Sequence, residues 1–191
     1  MTLDTVRSAP DMPSIPALEE PLVCEHVGLR LADERDIPEI LIAHQDDPQL
    51  HVRLGLKRPP SGAELGRQME LAERERETGV RARLTILEPG SDDCRGRISV
   101  HSIDWDHGRA ELGIWLAPQV RGRGLAAAAL RLAARWLFDQ CGLERLQLLT
   151  EPDNEPMLRA ARAAGFVEQR MQRRLDVEMI VLSLSGNELA S

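Results

Sequence analysis

Two glycines constrain most strongly what this chain can do. Gly122 and Gly124 follow Leu116-Ala-Pro-Gln-Val-Arg121 and open onto the alanine-rich run Leu125 to Ala129. A strand end, a proline turn and two glycines leading into a helix let the backbone turn sharply and gather several amide N–H groups at one point. The helix start adds partial positive charge there. Such a corner holds phosphate oxygens. Arg121 and Arg123 flank the glycines, either as side-chain donors or as solvated loop arginines, and the spacing does not decide between them.

Other chemistries find no foothold. His44, His51, His101 and His107 lack H-E-x-x-H or any metal-ligand spacing, so no metal is expected. No G-x-S-x-G turn is present, and Cys24, Cys94 and Cys141 show no C-x-x-C pairing. A covalent acyl-enzyme is therefore not expected. Tyr is absent, so no phenol can serve as an acid. Trp105 and Trp115 read as pocket lining or as core props.

The elements that must carry the glycine corner are legible from periodicity. Residues 1–24 hold Pro10, Pro13, Pro16 and Pro21 and no apolar period, and read as a flexible leader. A strand over 26–31 precedes Asp33, an N-cap candidate for a helix through Ile37, Ile40, Leu41 and His44. Ser61-Gly-Ala-Glu64 is a capping box, opening a helix that places Leu65, Met69 and Ala72 on one face, leaves residues 73–77 outside and stops at Gly79. The period then changes to two: 80–87, 97–103 and 109–116 predict an antiparallel meander. A helix over 124–140 follows, with Leu125, Ala129, Leu132 and Trp136 on its buried stripe and Gly142 at its end. A short apolar strand over 146–150, a helix over 155–164 capped by Asp153 or Asn154, and strands over 166–172 and 177–185 complete the pattern. The order predicts a mixed α+β sheet with a single domain over 25–186 and a short tail over 187–191. Only the strand–helix–strand unit near 109–150 demands parallel pairing.

Residues Arg121-Gly-Arg-Gly124-Leu-Ala126 match R/Q-x-x-G-x-G/A, and the stretch resembles the acetyl-CoA signature of the GNAT acyltransferase superfamily. Leu29 to Ile40, Ala110 to Pro118, Asn154 and Gly165-Phe166 extend the likeness over about residues 25 to 185. They look like the branch that acetylates ribosomal-protein N-termini. The resemblance implies a mostly antiparallel GNAT sheet with helices on both faces. It implies amides from Arg121, Gly122, Arg123, Gly124, Leu125 and Ala126 around a pyrophosphate, and backbone at Trp115 and Leu116 holding pantetheine and thioester. It also implies Asn154 against CoA where two strands splay. A strand N–H facing the thioester oxygen is worth roughly 2.7–4 kcal/mol as an oxyanion donor. Without the resemblance, Asn154 reads equally as a plain helix cap.

The chain departs from that family pattern at two positions. Where many GNAT enzymes place a Tyr acid this chain has Ala161, and where the N-terminal-acetylating branch often has Ser it has Met157. A thiol of pKa near 8.5 is already a fair leaving group, so solvent can supply the proton. An α-amino group of pKa about 7.7–8.0 needs only modest help to attack, whereas lysine near 10.4 needs more. Glu111, on the strand entering the turn, is the preferred base, against its reading as an ordinary strand charge. Asp104, His101 and His107 stand one strand away.

Composition sets the outer bounds. The chain has 191 residues, a formal net charge of −7 and 42% hydrophobic residues, enough for a core. The acidic balance argues against nucleic acid as a partner and leans toward cationic ones. No stretch reaches the roughly 18 apolar residues of a membrane span, and no signal-peptide centre opens the chain, so no membrane partner and a cytoplasmic location are expected. The oligomeric state stays open, a homodimer included. Lys57 is the single lysine. The reading is an acetyl-CoA-dependent N-acetyltransferase acting on a primary amine, a protein N-terminus or a small molecule, in a ternary complex. Two rivals remain: a CoA-binding domain that senses rather than catalyses, and a nicotinamide oxidoreductase, since Gly122-x-Gly124-x-x-Ala127 fits G-x-G-x-x-G/A with Glu151 as ribose acid. Too little chain follows Glu151 to complete the second.

Overall fold

The three period-2 runs pair as the meander their alternation demands, and the sheet grows outward from them. The computed structural model describes residues 13–174 and 176–189. Its strands are β1 (Leu22–Val23), β2 (Gly28–Leu31), β3 (Ala82–Leu87), β4 (Gly96–Asp104), β5 (Arg109–Leu116), β6 (Arg145–Thr150), β7 (Val167–Arg174) and β8 (Val177–Ser185). They form one sheet in the order β1-β2-β3-β4-β5-β6-β8-β7. The helices are α1 (Ile37–Asp46), α2 (Leu50–Arg53), α3 (Gly62–Glu77), α4 (Leu125–Cys141), α5 (Glu155–Ala163) and α6 (Gly186–Leu189). Every neighbouring pair of strands is antiparallel except β5 and β6. Those two are parallel, and α4 supplies the crossover such a pair requires.

One sheet face is apolar. Leu29, Leu84, Ile86, Ile98, Val100, Leu112, Leu146, Leu148, Leu182 and Leu184 pack with α4 and α5 in one core. The stripe α4 buries is wider than the sequence suggests. Leu125, Ala129, Leu130, Ala133, Ala134, Trp136 and Leu137 are all buried, while Leu132 is only half-buried. The alanines let the helix lie close to the sheet, so the line of contact follows them. Gly142, with φ 66°, ends α4 in the left-handed region.

The other face is held by ions as well as by oil. A small cluster of Ile40, Leu65, Met69 and Cys94 lies there against Trp115. Beside it the Arg30 guanidinium grips Asp36 at 2.6 Å, the two side chains being 8% and 1% exposed. Asp36 also accepts from the Thr85 hydroxyl and from the Asp33 amide. Arg30 continues to Asp92 at 2.8 Å, tying β2 to the loop before β4. Asp33 and Ser61 both close capping boxes, with Asp36 and Glu64 as the reciprocal partners. Glu75, expected outside α3, pairs instead with the buried Arg83.

The leader splits. Residues 1–12 lie outside the described residues, but the segment from Pro13 packs on the domain. Ile15 is 0% exposed, its amide donates to the Arg76 carbonyl, and the Arg76 guanidinium donates back to the Ile15 carbonyl. Leu22–Val23 then pairs with β2. An isolated isoleucine between prolines carries no period, which is why it read as unstructured. The three cysteines are free: Cys24 exposed, Cys94 buried and Cys141 half-buried.

Removing one partner of a buried ion pair strands the other, at about 3–5 kcal/mol. Asp36→Ala should therefore lower stability by that amount in urea unfolding. The paired replacement Arg30→Met with Asp36→Leu should recover much of it.

Candidate active site

β5 and β6 are hydrogen-bonded only from Arg109 to Leu112 against Arg145 to Leu148. Beyond that, Gly113 to Leu116 stay on β4 alone, in register with Ser99 back to Gly96. The strands part, and one edge of β5 is left open along Gly113 to Leu116. Ala117 leaves the strand with its amide on the Arg95 carbonyl, and a single 3-10 turn, Pro118–Val120, swings the chain toward α4. Gly122 (φ 74°) and Gly124 (φ 81°) then adopt the left-handed region that L side chains avoid. Around both, a Cβ would meet nothing within 4 Å. Backbone geometry, not crowding, is what requires glycine.

Among the described residues the amides from Gly122 through Ala127 meet no acceptor. No side chain caps α4 either. Six unpartnered donors at a positive helix end suit an anion of phosphate type. The frame differs from the expectation by one residue. The Arg121 amide is taken by the Pro118 carbonyl, while that of Ala127 is free.

The arginines of the corner are not loose. Arg121 turns back, its Nε donating to the Leu116 carbonyl at 2.9 Å and its Nη1 lying 2.7 Å from Asp47. Asp47 is 8% exposed and also accepts from Arg53 at 2.9 Å. Burial alone would raise its pKa, but the Arg121 and Arg53 guanidiniums overcome that and hold the carboxyl below its ordinary range. Arg123 pairs with Glu88. Leu116 and Leu125 put their side chains into the main core, Ala126 packs against it, and Trp115 lies against the Ile40 cluster. Asn154 is the N-cap of α5, its Oδ1 accepting from the Met157 amide at 3.3 Å. The capping role is thus observed, and its amide nitrogen is left free of protein partners.

Glu111 faces the same side of β5 as Gly113 and Trp115. Its side chain is 18% exposed and accepts from Arg174 of β7 at 2.6 Å. His101 lies opposite in register, Nε2 3.9 Å from the carboxylate. The ladder slips just after it, where Ser102 takes φ 50° and accepts or donates with His101 Nδ1 at 3.1 Å. Asp104 and His107 bond to each other at 2.8 Å around the next turn and are committed there. Burial pushes His101 below its usual pKa, and Arg81 and Arg174 push the same way against Glu111. Trp105 is a prop, donating to the Gly79 carbonyl at 2.9 Å. Arg174, Arg81 and Asp47 had no local signal in the sequence, being brought in from other elements. Among the described residues no three His, Cys, Asp or Glu side chains converge as a metal site.

His44 is depressed as well, first by burial and then by His51, with Asp47 opposing. Both histidines are held neutral in the fold, so their contribution is complete above 6.5 and is lost as pH falls through their lower folded values. Urea midpoints should be level above that pH and decline below it. Replacing both with Gln should flatten the decline.

The model of the Acetyltransferase (GNAT) domain matches residues 26–167. A Bacillus subtilis protein named "Putative ribosomal N-acetyltransferase YdaF" is 29% identical over 158 residues, covering 79% of this chain and 83% of that one. The spermidine N(1)-acetyltransferase of Escherichia coli is 34% identical over 71 residues, 37% of this chain and 38% of its own. The RimL ribosomal L7/L12 α-N-protein acetyltransferase solved with coenzyme A superimposes with a TM-score of 0.76 at 16% identity, over 87% of this chain and 98% of that one. The spermidine N-acetyltransferase of Vibrio cholerae, solved with CoA and spermine, gives 0.74 at 18% identity, over 86% and 98%. The sheet order, the parting of β5 and β6 and the family match agree, and the chain belongs to the GNAT acetyltransferase family.

Proposed function

We propose that the chain moves acetyl from acetyl-CoA to a primary amine by direct attack in a ternary complex. The observation that carries this reading is the set of free amides from Gly122 to Ala127 beside the parted strands. They suit the pyrophosphate of CoA. The open edge of β5 from Gly113 to Leu116 suits the amide-rich pantetheine arm, which adds to the strand as another strand would. Trp115 and Leu116 end that edge, and the Asn154 amide at the start of α5 is a further donor for CoA. Arg121 acts by bracing the turn through Leu116 and Asp47 rather than by reaching outward.

In the transfer, the amine nitrogen forms a bond to the thioester carbon and the carbon–sulfur bond breaks. Glu111 takes the proton the amine gives up, directly or through water. His101, held neutral beside it, keeps the pocket from gaining a competing charge. The thiolate takes its proton from water, for the α5 position that would carry a phenol is the fully buried Ala161. The names of the relatives, a ribosomal N-acetyltransferase and a spermidine acetyltransferase, support protein N-termini and small amines as acceptor classes.

Calorimetry with acetyl-CoA and release of free thiol in the presence of amines test the reading. Gly124→Val forces a branched side chain into the left-handed region at a cost near 1–2 kcal/mol and places it before the amides. Acetyl-CoA affinity should fall about tenfold or more, with the melting temperature lowered by about 2–8 °C. Glu111→Gln should lower kcat about 10²–10⁴-fold, leaving acetyl-CoA affinity intact. An unchanged kcat would remove Glu111 from the reaction.

A further inference from the structure

The sheet face on which Glu111 stands is laid out in rows that cross the strands. Arg30, Thr85, Arg97 and Trp115 form one row, Arg83, Ser99 and Gly113 the next, and His101, Glu111 and Gln147 the third. Three arginines of these rows are buried: Arg30, Arg83 and Arg97 at 7%, 8% and 7% exposed. Arg30 is bound to Asp36 and Asp92, and Arg83 to Glu75. Arg97 has nothing. Its Nε and Nη2 are sealed from solvent and meet no acceptor.

No neighbour can serve it. Asp36, the carboxylate that acts on it, already accepts from both Nη atoms of Arg30, from Thr85 and from the Asp33 amide. The Cys94 thiol is pushed up to about 11 by burial and donates to the Gly96 carbonyl, so it brings no negative charge. A buried guanidinium without a bonded acceptor is unfavourable in a folded chain, which marks it as a candidate for a partner from outside. The rest of the floor has the same sign. Arg81 has a sealed Nε without an acceptor, and Arg174 stands over Glu111. Among the described residues of this floor, only Glu111 remains against Arg81, Arg97 and Arg174, because Asp36 and Glu75 are spent.

Resting on the acetyl-transfer reading above, we infer that the acceptor amine carries a carboxylate and that Arg97 is the residue that takes it. The row of Arg97 lies one step, about 7 Å, from the row of Gly113, where the strands part. The carboxylate therefore sits about 5–10 Å from the reacting nitrogen. An acidic side chain at the first or second position of a peptide meets that distance, and so does a small amino acid with a distal carboxylate. A polyamine meets three arginines.

The test compares thiol release from acetyl-CoA by the whole protein with peptides beginning Asp-Ala or Ala-Asp, their Asn counterparts, free glutamate and spermidine. An acidic peptide should exceed its amide twin at least tenfold in kcat/KM, chiefly through KM, with spermidine below both. Turnover of glutamate at the rate of the acidic peptide would identify the small molecule as the source of the carboxylate. Arg97→Met, which keeps the volume, should reduce the preference to less than twofold, leave acetyl-CoA affinity unchanged and hold or raise the melting temperature. Arg97→Lys, which keeps the charge, should retain part of the preference. Equal turnover of acid and amide peptides, spermidine as the best acceptor, or a preference that survives in Arg97→Met would overturn the assignment. So would a large loss of stability in Arg97→Met, which would reveal an internal partner. Calorimetry of the same peptides on the CoA-saturated protein reads the acid–amide contrast without turnover. Absence of thiol release with that contrast intact would sink the transfer reading and leave the Arg97 site standing.

Discussion

The parallel pairing of β5 with β6 lasts for four residue pairs, and much of the molecule follows from where it stops. Parallel neighbours cannot be joined by a tight turn, so α4 has to cross the sheet, and its apolar stripe becomes the centre of the main core. The helix must start where β5 ends. Its unpaired amides are therefore delivered beside the gap that opens between the strands. A longer ladder would close the gap and satisfy the edge of β5. A shorter one would free α4 from the sheet.

The two sheet faces are stabilised by different physics, and this divides the labour between them. Behind the sheet, close-packed Leu, Ile, Val and Ala fix the strand positions to which the corner is referred. In front, α1 and α3 are anchored by few apolar contacts and by directional ion pairs such as Arg30 with Asp36. Directional bonds leave polar groups near the reacting centre without flooding it with water. The tie from Asp47 to Arg121 joins that front layer to the glycine turn. One carboxylate thus couples the end of α1 to the turn that opens α4.

Sequence made the local devices plain. The N-cap at Asp33, the capping box at Ser61, the stops at Gly79 and Gly142, the meander and the glycine corner all follow from neighbours within a few residues, and the fold class follows from their order. What stayed hidden depends on residues far apart in the chain. Arg174 reaches Glu111 across 63 positions, and Asp47 meets Arg121 from just beyond the end of α1. Ile15 is buried because Arg76 of α3 holds its backbone while its side chain joins the main core. Asn154 was ambiguous for a different reason: an asparagine that caps a helix with its oxygen still has an amide to offer, so both readings describe one side chain. The isolation of Arg97 is a property of its surroundings being already satisfied, which no spacing rule encodes.

The three free thiols differ in a way that matters for following a reaction in which a thiol is the product. Cys94 and Cys141 are pushed up to about 11 and about 12 by burial, so at neutral pH almost none of either is thiolate. Cys24 alone is exposed. A chromogenic disulfide reagent added to the native protein thus meets a background of one sulfur per chain, and sulfhydryl appearing beyond that has come from the coenzyme.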